Sequence, residues 1–441
     1  MGGLQLINQW GIKSAAAVLA LALLTSGVSE GQADAAGAAK ATVTASVPAK
    51  TTILLDDVEL PFDSPPILIN GVTFVPFRTI GEALGLKKVV WDDKTQTVTA
   101  EGTKQGKPVT LSMKIGSGTA VVNGVNVKLP AAPMMRNNRV LIPLSFFSTQ
   151  FGAQVGWSQA TNTVTIKSPQ KAIHLRTFYA LSSYAERDLA DAANSVAFGW
   201  SRIDRDGNFT LEGSEYRVPE PNGDVTPQSL VSDTAAKSIK PYLMVYSLDG
   251  QNELTKMMSS ETLRANSING ITKAIADYGF GGVVLDFEGL GFQLDKLEQQ
   301  KLLNTYAKQL KEALPQDVAL SLVVHAPNSA YQGYDYKTLA AIADDLILMA
   351  YKYNPSGTAP QVPEPNSKVN DAIQQALKAG VPKSKLLLGI DLRAETPQSI
   401  DDKLGLAKRY QLKGAALWRL GLFRQYSPDM IAAINKSVIK Q

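Results

Sequence analysis

From Ile173 to Leu420 the chain repeats one rhythm: a short apolar run with strand character, then a stretch of helical periodicity. Eight runs stand out: Ile173–Tyr179, Ser195–Trp200, Pro241–Tyr246, Gly282–Glu288, Val318–Val324, Asp345–Tyr351, Lys385–Ile390 and Gly414–Leu420. Helical stretches fall between most of them, for example Asp295–Leu314 and Asn370–Ala379. A strand followed by a helix returns to pair in parallel with its predecessor, so this order predicts a parallel sheet. Eight such units in about 270 residues fit a (β/α)8 barrel, where chemistry gathers at the C-terminal ends of the strands.

The fourth run is the most informative. Gly279–Leu290 reads GFGGVVLDFEGL, a buried strand with carboxylates at its C-terminal end. Side chains alternate along a strand, so Asp286 and Glu288 point the same way, roughly 7 Å apart by strand rise. Two carboxylates aimed together from a buried strand are costly unless they serve a purpose. Val284 shares their face one pleat below, which sets Asp286 on an apolar floor and raises its proton affinity.

Other strand ends carry further candidates. Tyr351 closes the sixth run with Met349 two residues before it, Asp391 follows the seventh, and Trp418 lies near the end of the eighth. His325 follows the fifth and either lines the same cleft or serves the core. Asp391 either touches a ligand or caps the next helix, about Pro397–Tyr410. The segment between the last two runs has no room for a folded insertion beyond that helix, which predicts a shallow, open cleft. Asp204-x-Asp206-Gly207-Asn208 reads as a hairpin turn rather than a calcium loop, because its glycine is misplaced for an EF-hand.

Residues 51–168 contain an internal repeat. Ile67–Ala100 matches Met134–Ile166, with Val75-Pro76-Phe77 set against Ile142-Pro143-Leu144 and Trp91 against Trp157. Each unit reads as strand, short helix (Arg78–Leu84, Ser145–Phe151), glycine stop and strand pair. Asn123-Gly124 signals a hairpin between the units. The matching tryptophans are expected to pack in the core, with sugar stacking on an exposed face as the alternative.

The N-terminus reads as an export signal over 1–35: Lys13, the apolar run Ala15–Leu24, then small residues ending Ala33-Asp34-Ala35. Ala36–Lys50 reads as a linker. There is no cysteine and there are two histidines, so thiolate chemistry and a multi-histidine metal site are excluded, and neither a metal nor a cofactor is expected. The formal net charge is +4 without a marked Lys/Arg run, so nucleic acid is not implied as a partner.

These motifs resemble two known families. Residues 51–168 resemble the copper amine oxidase N-terminal-like stalk module, through Val-Pro-Phe-Arg, Leu-Gly, Trp-Asp and Thr-Val-Thr. No copper chemistry carries over, since the segment lacks His and Cys; the resemblance implies an attachment or spacer role against a cell-wall component. Residues 170–441 resemble glycoside hydrolase family 18, in the branch of spore peptidoglycan N-acetylglucosaminidases. Gly282, Asp286 and Glu288 match the family's Asp-Gly-x-Asp-x-Asp-x-Glu strand, while Gly281 and Val284 replace two of its Asp residues. Met349-Ala350-Tyr351 resembles the Met-x-Tyr of strand 6, and Trp418-Arg419-Leu420-Gly421 the strand-8 motif. The resemblance implies an α+β stalk followed by a TIM barrel in a secreted, envelope- or spore-associated protein. It further implies a glycosidase acting on peptidoglycan or another N-acetylglucosamine-containing glycan, including chitin-like oligosaccharides. In this family the substrate's own acetamido group acts as nucleophile. By resemblance Glu288 is the acid/base, Asp286 holds the acetamido N–H, Tyr351 binds its carbonyl, and Trp418 floors the sugar. The two replaced Asp residues keep a second expectation open, a non-catalytic glycan-binding protein on the same scaffold.

Overall fold

The computed structural model describes residues 50–354, 362–426 and 429–441. The expected signal segment and all of the linker except Lys50 lie outside these residues. No described helix is long and apolar enough to cross a membrane.

The eight runs form a closed parallel barrel. Its strands are Lys171–Tyr179, Ser195–Ile203, Lys240–Ser247, Gly282–Phe287, Ala319–His325, Asp345–Met349, Leu386–Asp391 and Gly414–Trp418. They pair in that order, and the first strand closes the circle by pairing in parallel with both the second and the eighth. Predicted and observed strands differ by at most three residues at an end. The connection after the first strand is a 3-10 segment, Leu181–Ala192, rather than an α-helix. Asp204 accepts backbone N–H groups of Asp206 and Asn208 at 2.9 and 2.8 Å, closing the hairpin to the short strand Phe209–Thr210. No described group of three or more acidic or histidine side chains could hold a metal ion.

The barrel interior is stacked in layers, as alternation dictates. At the base, Arg176 and Asp345 form a fully buried two-pronged pair at 3.0 and 3.1 Å. Lys413 reaches the same carboxylate at 2.6 Å, and the Arg176 guanidinium lies 4.1 Å from the Tyr242 ring centre. Gly282 makes room for that ring, since a Cβ there would sit 2.3 Å from a ring carbon. Above lies an apolar layer of Phe178, Met244, Val284, Val323, Ile347, Leu387 and neighbours. The outward strand faces and the surrounding helices bury the larger core, including Trp200, Leu285, Phe287 and Tyr306.

The repeat appears as a local two-fold. Strands Val72–Pro76 and Arg139–Pro143 run antiparallel, with Val75 directly opposite its repeat equivalent Ile142. Each leads into a short helix, Phe77–Ala83 or Leu144–Gln150. The two hairpins carrying the tryptophans then join different sheets. Lys88–Asp92 and Thr97–Lys104 continue into a five-stranded antiparallel sheet, whereas in the other hairpin, Gln154–Ser158 and Thr163–Lys167, the second strand pairs in parallel with the early strand Thr52–Leu55. Asn123 and Gly124, both at positive φ, make the expected hairpin turn. The tryptophans part company: Trp91 is half-buried against the core, but Trp157 is 45% exposed, contrary to the packing expectation. It borders a hollow of about 530 Å³ with Leu68, Phe146 and Val155.

The repeat region seats directly on the barrel. Asp56, 1% exposed, accepts the backbone N–H of Ser168 at 2.9 Å and also its hydroxyl. Its turn fits into barrel helix Pro397–Arg409 at Gly405, where a Cβ would collide with the Asp56 carboxylate. Lys167 pairs with Asp402 of that helix, and Asn366 donates to Asp57 at 3.1 Å.

Candidate active site

The fourth strand ends under tight control. The Glu288 N–H donates to the Ser247 carbonyl at 2.8 Å, and the Tyr334 hydroxyl donates to the Phe287 carbonyl at 2.7 Å. Gly289 then turns away at φ +89°, where any Cβ would strike the Leu248 carbonyl oxygen. Asp286 and Glu288 are thereby fixed at the barrel mouth.

Asp286 is 5% exposed, and its Oδ1 is buried with no hydrogen-bond partner. Below it is Val284, as the sequence predicts. Burial first, and the Glu288 charge second, push the Asp286 carboxyl well above the ordinary carboxylate range. Uptake of a proton by the pair is thereby favoured over two bare carboxylates.

Tyr351, Asp391 and Trp418 share one hollow with this pair, together with Tyr216, Tyr246, Lys352 and Arg393, in a space of about 180 Å³. Phe178 supports Trp418 from beneath, with ring centres 5.1 Å apart. Burial and the neighbouring carboxylates raise the Tyr351 hydroxyl well above its usual range, so it stays a donor. Tyr216 and Tyr246 stack at 4.0 Å, and burial raises both hydroxyls likewise.

Asp391 grips Arg393 through Nε at 3.0 Å to both oxygens. It does not cap the following helix; Thr396 does, accepting the Ser399 N–H at 3.1 Å. His325 stacks on Tyr331 at 4.1 Å and turns Nε2 towards Glu288 Oε2 at 3.8 Å. Burial, then the Lys352 charge, push this imidazole down to about 3, so it is neutral. Met349 departs from expectation. It shares the inward face with Tyr351 but lies a layer lower, 3% exposed, packed with Val284 and Ile347 as support beneath the cleft.

The central hollow opens on both sides. Past Trp418 lies a space of about 410 Å³ bordered by Tyr179, Ser182, Glu215 and Arg419. Past Glu288 lies another of about 290 Å³ bordered by His325, Phe292, Tyr331 and Lys352. Shared walls join the three into one groove, and only a short turn and helix Pro397–Arg409 lie between the seventh and eighth strands. Sequence reasoning missed Tyr216, Lys352 and Arg393, and it named Arg419 only within the strand-8 motif. It missed Tyr246 as well, although that residue ends the third run with inward parity, a signal that could have found it.

A parallel eight-stranded barrel with an acid pair at its C-terminal mouth and a groove lined by aromatic rings defines the class. Residues 157–394 match glycosyl hydrolases family 18, and the chain belongs to that family. Residues 54–166 match the copper amine oxidase N-terminal domain. The cortical fragment-lytic enzyme of Bacillus subtilis is 28% identical over 170 residues, covering 37% of this chain and 39% of that protein. Chitinase 1 of Aphanocladium album is 25% identical over 187 residues, covering 37% and 42%. The chain thus spans less than half the length of the curated relatives it matches. In fold it is similar to the Bacillus cereus spore cortex-lytic enzyme SleL, with a TM-score of 0.52 and 16% identity, covering 62% of this chain and 76% of that one.

Proposed function

We propose that this protein is a secreted glycosidase cleaving β-1,4 bonds beside N-acetylated sugars, foremost in peptidoglycan, with retention and with the substrate's acetamido group as nucleophile. The observation that carries the reading is Asp286, buried and orphaned at Oδ1, beside Glu288 in a cleft floored by Trp418. Trp418 offers the face of a sugar ring an apolar bed on one side of Glu288. Glu288 then stands at the bond between that sugar and the next; it takes up the proton shared with Asp286 and gives it to the glycosidic oxygen as the bond breaks, which leaves Asp286 ionised. The acetamido oxygen attacks C1 from the opposite face and forms an oxazolinium ion. Asp286 accepts the acetamido N–H, while the Tyr351 hydroxyl donates towards the acetamido oxygen. Water then attacks C1 and yields its proton to the Glu288 carboxylate, which resets the acid and leaves the original anomeric configuration.

The repeat region serves as the attachment module, and the hollow beside exposed Trp157 is the face we assign to a cell-wall component. The relatives named for spore cortex lysis favour peptidoglycan as substrate and a spore or cell-wall setting.

Glu288→Gln removes the transferable proton and keeps the shape. Hydrolysis of muropeptides and chito-oligosaccharides should fall about a thousandfold or more, within the range of lost general acid catalysis, with binding retained. Turnover by this variant at the wild-type rate would refute the assignment. Binding without turnover by the wild type would establish the non-catalytic reading, which the apolar Val284 favours.

A further inference from the structure

Two bulky residues lining the cleft have left-handed backbones, Tyr216 at φ +48° and Lys352 at φ +64°. Such a conformation is unfavourable for a lysine and persists only where the surroundings impose it. Here they do. The Glu364 carboxylate clamps two successive backbone N–H groups, those of Lys352 at 2.8 Å and Tyr353 at 3.0 Å. Glu364 is itself anchored, because the Lys403 ammonium donates to its carbonyl at 2.9 Å. Lys403 in turn pairs with Glu395 at 2.8 Å, their side chains 2% and 0% exposed. A buried ion pair in the barrel wall thus fixes the backbone from which Lys352 projects.

The projection places an ammonium where it has work left to do. Lys352 Nζ lies 3.5 Å from Glu288 Oε2, long for a charge-assisted bond, and its side chain stays 57% exposed. It borders both the central hollow and the one beyond Glu288, away from Trp418. With Trp418 under the sugar that is attacked, Lys352 faces the sugar that leaves. His325 beside it is neutral and does not compete for an anion. A plain N-acetylglucosamine polymer offers this ammonium only hydroxyl and amide groups. A muramic acid offers a carboxylate, from its lactyl ether when the stem peptide is absent or from the peptide when it is present.

We propose that Lys352 is a specificity-determining residue that selects substrates bearing a carboxylate on the leaving sugar. This rests on the reading of the cleft as a glycosidase site and adds which sugar departs. The test compares kcat/KM of the wild type, Lys352→Gln and Lys352→Arg on three oligosaccharides of equal length. These are neutral chitotetraose, a peptide-free N-acetylglucosamine–N-acetylmuramic acid tetrasaccharide, and the same with its stem peptides. The wild type should prefer at least one acidic substrate to the neutral one by about tenfold, the scale of one charged contact. Lys352→Gln should erase that preference, chiefly through KM, and Lys352→Arg should keep most of it. Raising the salt should shrink the wild-type preference. Which acidic substrate loses its advantage identifies the carboxylate. A wild type without the preference, or a Lys352→Gln variant that slows all three substrates equally, overturns the proposal. Dissociation constants measured on a Glu288→Gln background read the same ratio without turnover. A wild type that binds selectively but cleaves nothing therefore counts against the glycosidase reading alone.

Discussion

The joint between the repeat region and the barrel should be sensitive to mild changes of pH through Asp56. Burial raises this carboxyl from 3.8 to about 6, against the opposing pull of Lys408 and the bonds from Ser168. A native state that binds the proton more tightly than the unfolded chain is most stable below pH 3.8 and loses that advantage as pH rises through 6. The full loss, about 2.2 units at 1.36 kcal/mol each, is on the order of 3 kcal/mol. Between pH 5 and pH 8 the same two values give about 1.4 kcal/mol. Asp56→Asn keeps an acceptor for the Ser168 N–H and removes the titration. The assay is urea unfolding of both proteins at pH 5 and pH 8, at one ionic strength. The stability difference between variant and wild type should move by about 1.4 kcal/mol in the variant's favour at the higher pH. A difference that stays constant within about 0.3 kcal/mol would show that Asp56 is ionised in the folded protein and refute the reasoning.

Two further outcomes follow from the barrel interior. Val284→Asp places a third carboxyl under Asp286, and like charges in one site raise the last proton to leave, so the alkaline limb of the pH–rate profile should move up by about one unit; superimposable profiles would refute the account of Asp286 on its apolar floor. Asp345→Asn strands the fully buried Arg176 and should cost about 3–5 kcal/mol in chemical denaturation, whereas a loss under about 1 kcal/mol would mean that the base layer relaxes around the guanidinium.

The barrel was legible because each strand is a short apolar run bounded by a change of period, and that signal is local. The acid pair was legible for the same reason, since alternation alone puts Val284, Asp286 and Glu288 on one face. The repeat was legible as self-similarity, and its register, Val75 opposite Ile142, follows from symmetry. What stayed hidden depends on distant chain. Lys352 is aimed by Glu364 and, through it, by Lys403, none of which shares a periodic element with it. Met349 has the right parity, but parity does not say which layer a side chain reaches. Trp91 and Trp157 are equivalent in sequence and differ in exposure because their hairpins join different sheets. Asp56 falls in a turn of the repeat region, and only its fit against Gly405 shows why a carboxylate is sealed there.

The layering of the barrel has a consequence for proton traffic. The base is closed by the Arg176–Asp345 pair, and the layer above it is apolar. The orphaned Asp286 oxygen therefore faces no polar neighbour from below and communicates with water only through the groove. In the proposed cycle a sugar lying on Trp418 covers that opening from one side, and the hollow past Glu288 and Lys352 is then the path left for water and protons to reach the acid pair.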